Sequence, residues 1–231
     1  MKDIQLTHFY PWKPVPDLMV PLIMQDFADN GAKNLVLIEP WLERLINEPG
    51  FCGKLKGWLR ASGMNIFECH GAWGLGYDLN ITELPRRKGM IEDHKLGMEY
   101  AAFFGCKTYT VHMGPYYEGM EKPVFEALEQ LIPAAEKAGI ILAIENGFDP
   151  GNSPDALLQY LKAFPSKYFA WGAPRHYRET WPNPPQRGSV PYCFRRRWRL
   201  RPHCCRLGRL RCYSNGFAFS CLSFLQVRTL L

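Results

Sequence analysis

Gly139–Gly147 reads GIILAIENG. Ile140 to Ile144 are all apolar, and the run ends abruptly in Glu145-Asn146-Gly147. A short, continuous apolar run of this kind predicts a strand buried on both faces. A carboxylate at the C-terminal end of such a strand has left the packed interior. It faces the mouth of a parallel sheet or barrel, where the βα loops build sites. The competing reading is that Glu145 caps the next helix or pairs with a neighbouring loop.

Working outward, the same unit repeats. Upstream, 122–138 carries a helical pattern with Gly139 at its C-cap position. Before it, 107–111 is a strand ending in His112-Met113-Gly114, and 87–104 is a helix with Met90, Ile91, His94, Met98, Ala101 and Ala102 on its apolar face. Earlier still, 64–69 is a strand ending at His70, followed by the Gly-rich loop HGAWGLGYDLNIT at 70–82. Residues 34–38 form a buried strand ending at Glu39, and helical pieces at 41–47 and 54–62 are split by Pro49-Gly50. Residues 4–9 alternate as a first strand, and Asp17 caps a helix to Asp29 with Leu18, Leu22, Ile23 and Phe27 on one face. Downstream come a helix at 154–163 and a sixth strand at 168–171.

Strand–helix alternation implies a parallel sheet with right-handed crossovers, either open and doubly wound or closed into a barrel. No Gly-x-Gly-x-x-Gly follows the first strand, which disfavours a dinucleotide-binding unit. Four strand ends carry Glu39, His70, His112 and Glu145. In a parallel barrel all four project from one rim. Carboxylate and imidazole suit Mn²⁺, Mg²⁺, Co²⁺ or Zn²⁺, and a strand-end histidine can also orient a hydroxyl or carry a proton. Each histidine alone reads equally as a structural residue. His8 is a weaker fifth candidate, and His94 on its helix face reads as structural.

The segment from His70 to Gly119 resembles the xylose isomerase-like barrel superfamily. HGAWGLGYDLN, RRKGMIEDHKLGMEYAAFFGC and KTYTVHMGP carry the likeness, and IILAIENG resembles the family's first metal-binding glutamate. The resemblance covers about residues 1–171. It implies an α/β fold of (β/α)8 TIM-barrel type, here incomplete at five to six βα units. It also implies a divalent cation held by Glu145, a carbohydrate substrate, and proton transfer through an enediolate by an isomerase or epimerase. By position, Glu145 and His112 are the catalytic candidates, and His70, Glu39, Trp73 and Asn146 the substrate-binding ones. The nuclease branch, typified by endonuclease IV, implies instead a metal-dependent phosphodiesterase.

The likeness stops at the sixth strand. There the family's Asp-x-x-His is expected, and the chain reads YFAWGAPRHYRETWPNPPQ, with His176 but no aspartate. Composition breaks at the same place. Residues 1–172 hold 16 Lys+Arg against 21 Asp+Glu, a net −5, whereas 173–231 hold 12 against 1, a net +11. All 12 lysines precede the break, and all 12 basic residues after it are arginine. The expected organisation is a partial barrel at 1–171 and an irregular Arg/Cys/Pro-rich tail at 172–231. That tail reads as the product of a changed reading frame, as disordered chain, or as a basic extension whose Arg, Trp and Tyr contact nucleic acid. A tail zinc site from His203, Cys204, Cys205 and Cys212 is disfavoured, because no Cys-x-x-Cys spacing occurs. An acidic first part argues against a DNA-binding rim. Loss of strands seven and eight leaves the barrel an inactive fragment on a third reading, with an exposed edge that favours self-association. No leader, apolar span or sign of secretion is read, so the expected setting is the cytoplasm, with no membrane partner.

Overall fold

The computed structural model describes residues 6–145, 153–172 and 223–225. In chain order the elements are β1 (Leu6–His8), α1 (Val20–Asp29), β2 (Asn34–Leu37), α2 (Glu39–Asn47), α3 (Phe51–Ser62), β3 (Asn65–His70) and α4 (Leu84–Phe103). They continue as β4 (Thr108–His112), α5 (Glu121–Ala138), β5 (Ile141–Glu145), α6 (Pro154–Ala163), β6 (Phe169–Gly172) and β7 (Ser223–Leu225). The sheet order is β6-β5-β4-β3-β2-β1-β7, and β1 to β6 all pair in parallel. Strictly consecutive order has no switch point, so the sheet is barrel-type rather than doubly wound. The six strands and six helices form a partial (β/α)8 barrel.

Burial follows the strand period. On β4, Tyr109 and Val111 are buried against the helices, while Thr108, Thr110 and His112 are half-buried on the other face. On β5, Leu142 and Ile144 are completely buried, and Glu145 ends the strand partly buried. Alternate side chains point to opposite faces, so His70, His112 and Glu145 share the inner face. The helices place these strands by ordinary means. α5 ends at Gly139 (φ +69°), whose N–H donates to Glu136, while Ile140 N–H donates to Ala135; this closes the helix and launches β5 directly. Ser153 caps α6 by accepting from Ala156 N at 3.2 Å.

Three expectations change. The helix expected from Asp17 begins at Val20, with Pro21 in its first turn. Asp17 does not cap it; the carboxylate is bound by Arg44 (2.6 Å) and Lys54 (2.8 Å) instead. As a result Leu18 and Leu22 lie outside the core, at 81% and 61% exposure, and Val20 and Met24 fill it. Glu39 does not end β2 but opens α2, followed by Pro40; an acid and a proline both suit a helix's first turn. Ser223–Leu225, within the expected tail, adds a strand to the sheet, antiparallel to β1 (Leu6↔Leu225, His8↔Ser223). Asn146, His176 and the remaining tail residues lie outside the described residues, as do the readings that rest on them. No helix among the described residues is long and apolar enough to cross a membrane.

Candidate metal centre

Register brings the site together. β4 and β5 pair His112 directly with Glu145, and β3 pairs His70 with Thr110, one step back along β4. From these positions three donor atoms converge. His112 Nε2 lies 2.8 Å from Glu145 Oε2, His70 Nε2 lies 3.4 Å from the same oxygen, and the two Nε2 atoms are 3.1 Å apart. The side chains are 12% (His70), 16% (Glu145) and 29% (His112) exposed, so the cluster is sheltered but open on one side.

The donor chemistry fits a cation. His70 Nδ1 lies 3.0 Å from the Gly71 carbonyl, which can only accept, so Nδ1 carries the proton. In the neutral ring Nε2 is then a bare lone pair aimed at a carboxylate and a second imidazole. Three such atoms repel unless a proton or a positive ion lies among them. Metal–ligand bonds of about 2.0–2.2 Å at tetrahedral or octahedral angles separate neighbouring donors by roughly 2.8–3.6 Å. All three observed separations fall in that range, and the trio can hold a divalent ion. Burial alone would raise the Glu145 carboxyl; the hydrogen bond from His112, 2.8 Å from Oε2, opposes it and holds the group below the usual carboxylate range.

Trp73 flanks the trio. Its ring meets His70 edge-on at 4.8 Å and lies near-parallel to His112 at 6.1 Å, with 39% of the residue exposed. The loop that carries it is pinned to the end of β4. Leu79 N–H donates to the His112 carbonyl, and Asn80 N–H to that of Met113. The Asn80 side chain donates to Pro115 O at 2.6 Å, and Asp78 Oδ1 accepts from Gly74 N at 2.8 Å. Arg87, at the start of α4, ties Ile81 O and Thr82 O to Glu126.

Other sequence candidates lie elsewhere. Glu39 lines a cavity of about 170 Å³ between α2 and α4 with Asp93, His94 and Tyr109. His8 stacks on Phe27 of α1 at 5.6 Å. His94 is buried, donating from Nε2 to the Tyr77 carbonyl (2.8 Å) and accepting at Nδ1 from the Tyr109 hydroxyl (3.0 Å). Sequence reasoning placed only Glu145 on the cation and set His70 and His112 beside it. The signal that brings all three together is the shared inner-face parity of three neighbouring strand ends.

Comparison with known proteins agrees with this architecture. Residues 28–170 match the family model described as xylose isomerase-like TIM barrel. No curated protein matches significantly. Among solved structures, the chain is similar to a xylose isomerase domain protein from Planctomyces limnophilus, at 15% identity and TM-score 0.53 over 65% of this chain and 57% of that one. It is similar to a 3-keto-D-glucoside 4-epimerase from E. coli, at 13% identity and TM-score 0.60 over 74% and 68%. A xylose isomerase-like TIM barrel protein from Mycobacterium smegmatis, in complex with magnesium, matches at 12% identity and TM-score 0.56 over 68% and 56%. The chain thus spans between 56 and 68% of the length of these structures. The consecutive parallel strands, the helices between them and a family match over most of the described residues give one conclusion: this chain belongs to the xylose isomerase-like TIM barrel superfamily.

Proposed function

We propose that the protein is a divalent-metal-dependent isomerase of a sugar or sugar phosphate, with His70 Nε2, His112 Nε2 and Glu145 Oε2 as the cation's protein ligands. The observation that carries this reading is the convergence of those three atoms at donor–donor spacings, with His70 locked in the ligand tautomer. When bound, the ion supplies Lewis-acid polarisation of a substrate carbonyl. The chain's own residues do the rest. Both imidazole contacts of Glu145 run through Oε2, which leaves Oε1 to take a proton from the carbon beside that carbonyl. Glu145 is ionised at neutral pH, the state in which it can accept a proton. Trp73 offers a half-exposed indole face, the surface on which the C–H face of a sugar ring packs. Of the substrate-binding candidates read from sequence, Glu39 lines the cavity between α2 and α4 instead, and Asn146 lies outside the described residues.

A single base can move a proton between adjacent carbons on one face, whereas inverting a carbon needs a second group on the opposite face. Glu145 is the base of this reading, and His112, with Nε2 2.8 Å from it, is the second catalytic candidate. The reading takes in isomerisation and, where a second group stands on the opposite face, epimerisation. The printed names of two similar proteins, a 4-epimerase and a magnesium complex, lie within the same chemistry.

A second reading, an endonuclease IV-like phosphodiesterase, draws support from the two imidazoles, because a nitrogen-rich set favours Zn²⁺. The net −5 of residues 1–172 opposes a DNA-binding rim. The test incubates the full chain with Mn²⁺, Mg²⁺ or Zn²⁺ and a panel of aldoses, ketoses and their phosphates in D₂O. Deuterium at the carbon beside the carbonyl, lost in Glu145→Gln, supports the isomerase. Cleavage of an abasic-site duplex with no exchange into any sugar refutes it.

A further inference from the structure

We infer that Gly71 is a positioning residue that sets the His70 tautomer, and that the buried Tyr109 ring packed against it holds it there. The inference deepens the reading of His70 as a ligand through Nε2 and rests on it.

The Gly71 carbonyl is the partner of His70 Nδ1 at 3.0 Å. That bond competes with an alternative. If Nδ1 lost its acceptor, the proton would move to Nε2, where Glu145 Oε2 lies 3.4 Å away and can accept it. The ring would then present N–H, not a lone pair, to a cation. What decides between the two tautomers is whether the Gly71 carbonyl stays in place.

Two contacts keep it there. Gly71 N–H donates to Thr110 O at 2.9 Å, extending the β3–β4 pairing one residue past His70. On the other side lies the Tyr109 ring. A Cβ at Gly71 would sit 2.8 Å from Thr110 O and 2.8 and 2.9 Å from Tyr109 Cε1 and Cζ. There is room for hydrogen and nothing larger. The ring is itself fixed from behind: Gly97 of α4 would bring a Cβ within 2.6 Å of the Tyr109 hydroxyl, and that hydroxyl donates to His94. Tyr109 and His94 are each only 1% exposed. A buried brace thus runs from α4 through Tyr109 to the backbone beside the ligand.

The test uses the ¹⁵N-labelled full chain at pH 8 after chelation of metal. Long-range ¹H–¹⁵N correlations of the His70 ring distinguish a protonated from a bare ring nitrogen. His70→Gln assigns the signals among the 6 histidines. In the wild type Nδ1 is expected protonated and Nε2 bare. Gly71→Ala is expected to mix the tautomers and weaken Co²⁺ binding by about 10–100-fold, the usual effect of losing a ligand's outer partner. Gly89→Ala, at an exposed helical glycine with open space around it, should change neither reading. Tyr109→Phe keeps the ring and loses the hydroxyl, so its tautomer should match the wild type. Nε2–H in the metal-free wild type overturns the inference, whether or not Gly71→Ala folds. So does an unchanged tautomer in a folded Gly71→Ala. A wild type with the expected tautomer and no Co²⁺ binding would refute the metal reading while leaving Gly71's effect on the ring intact, so the two failures are distinguishable.

Discussion

Glu145→Gln separates a three-donor centre from an isolated carboxylate. Glu145 is the sole formal anion of the trio and touches both imidazoles through one oxygen. Glutamine keeps the shape and removes the charge. A lone carboxylate binds divalent ions at millimolar concentration, whereas three converging donors predict a dissociation constant on the order of 1 μM. An ion at about 100 times its Kd stabilises the fold by ~2.7 kcal/mol. For a domain of this size one kcal/mol moves Tm by roughly 2–4 °C, so 100 μM Co²⁺ should raise the wild-type Tm by about 5–10 °C. A hundredfold loss of affinity in Glu145→Gln corresponds to about 2.8 kcal/mol of binding free energy. At the same Co²⁺ concentration it leaves ~0.4 kcal/mol of stabilisation, roughly 1 °C. Differential scanning fluorimetry with EDTA and Co²⁺ arms reads both. Equal shifts in the two proteins would refute the assignment of Glu145, and a wild type unmoved by millimolar ion would refute the centre itself.

Three further outcomes follow from the geometry around the site. Gly114 has φ +88°, and a Cβ there would meet the Asn80 side chain, so Gly114→Ala should cost about 2 kcal/mol or more in urea unfolding, through backbone strain and displacement of Asn80. Asp17 is held at about 2, chiefly by its hydrogen bond from Arg44 and then by that from Lys54. This stabilisation is complete above the ordinary value of 3.8 and is lost as pH falls through about 2. The carboxyl is 38% exposed, so solvent screening reduces the effect to about 1 kcal/mol; Asp17→Asn should abolish this part of the acid dependence. Burial first of all holds His94 down at about 4. The unfolded chain therefore takes up its proton at higher pH than the folded one, and stability should fall between pH 6.5 and 4 by about 3 kcal/mol. Chemical denaturation of His94→Gln at the two pH values should show a smaller difference than the wild type; an equal difference would refute the assignment.

The strands were legible because each buried run ends in a polar residue. GIILAIENG, KTYTVHMGP and the run into His70 place their terminal groups within one residue of the observed strand ends. Stagger was not legible. Nothing in the sequence says that His112 faces Glu145 while His70 sits opposite Thr110, yet that offset decides which atoms meet. Glu39 was misplaced because a strand end and a helix start are adjacent at that point; the proline after it was the available signal. Gly71 looked like one glycine of a flexible loop. Its reason is a tyrosine ring 38 residues further along the chain, brought against it by strand pairing.

Strand direction bears on the break in composition. In a (β/α)8 barrel every strand is parallel to its neighbours, the eighth beside the first included. The described neighbour of β1 on its outer side is Ser223–Leu225, and it runs antiparallel. It therefore cannot be the family's eighth strand. It is what a short apolar segment does at an unpaired sheet edge, where free N–H and C=O groups accept either direction. The segment lies in the part of the chain that holds 12 arginines, no lysine and one acid. Composition changes after the sixth strand, and the family match ends at residue 170. The candidate metal centre lies wholly before that point, on β3, β4 and β5. The three proposed ligands all lie in the acidic part of the chain that the family model matches, so the cation test addresses that part directly.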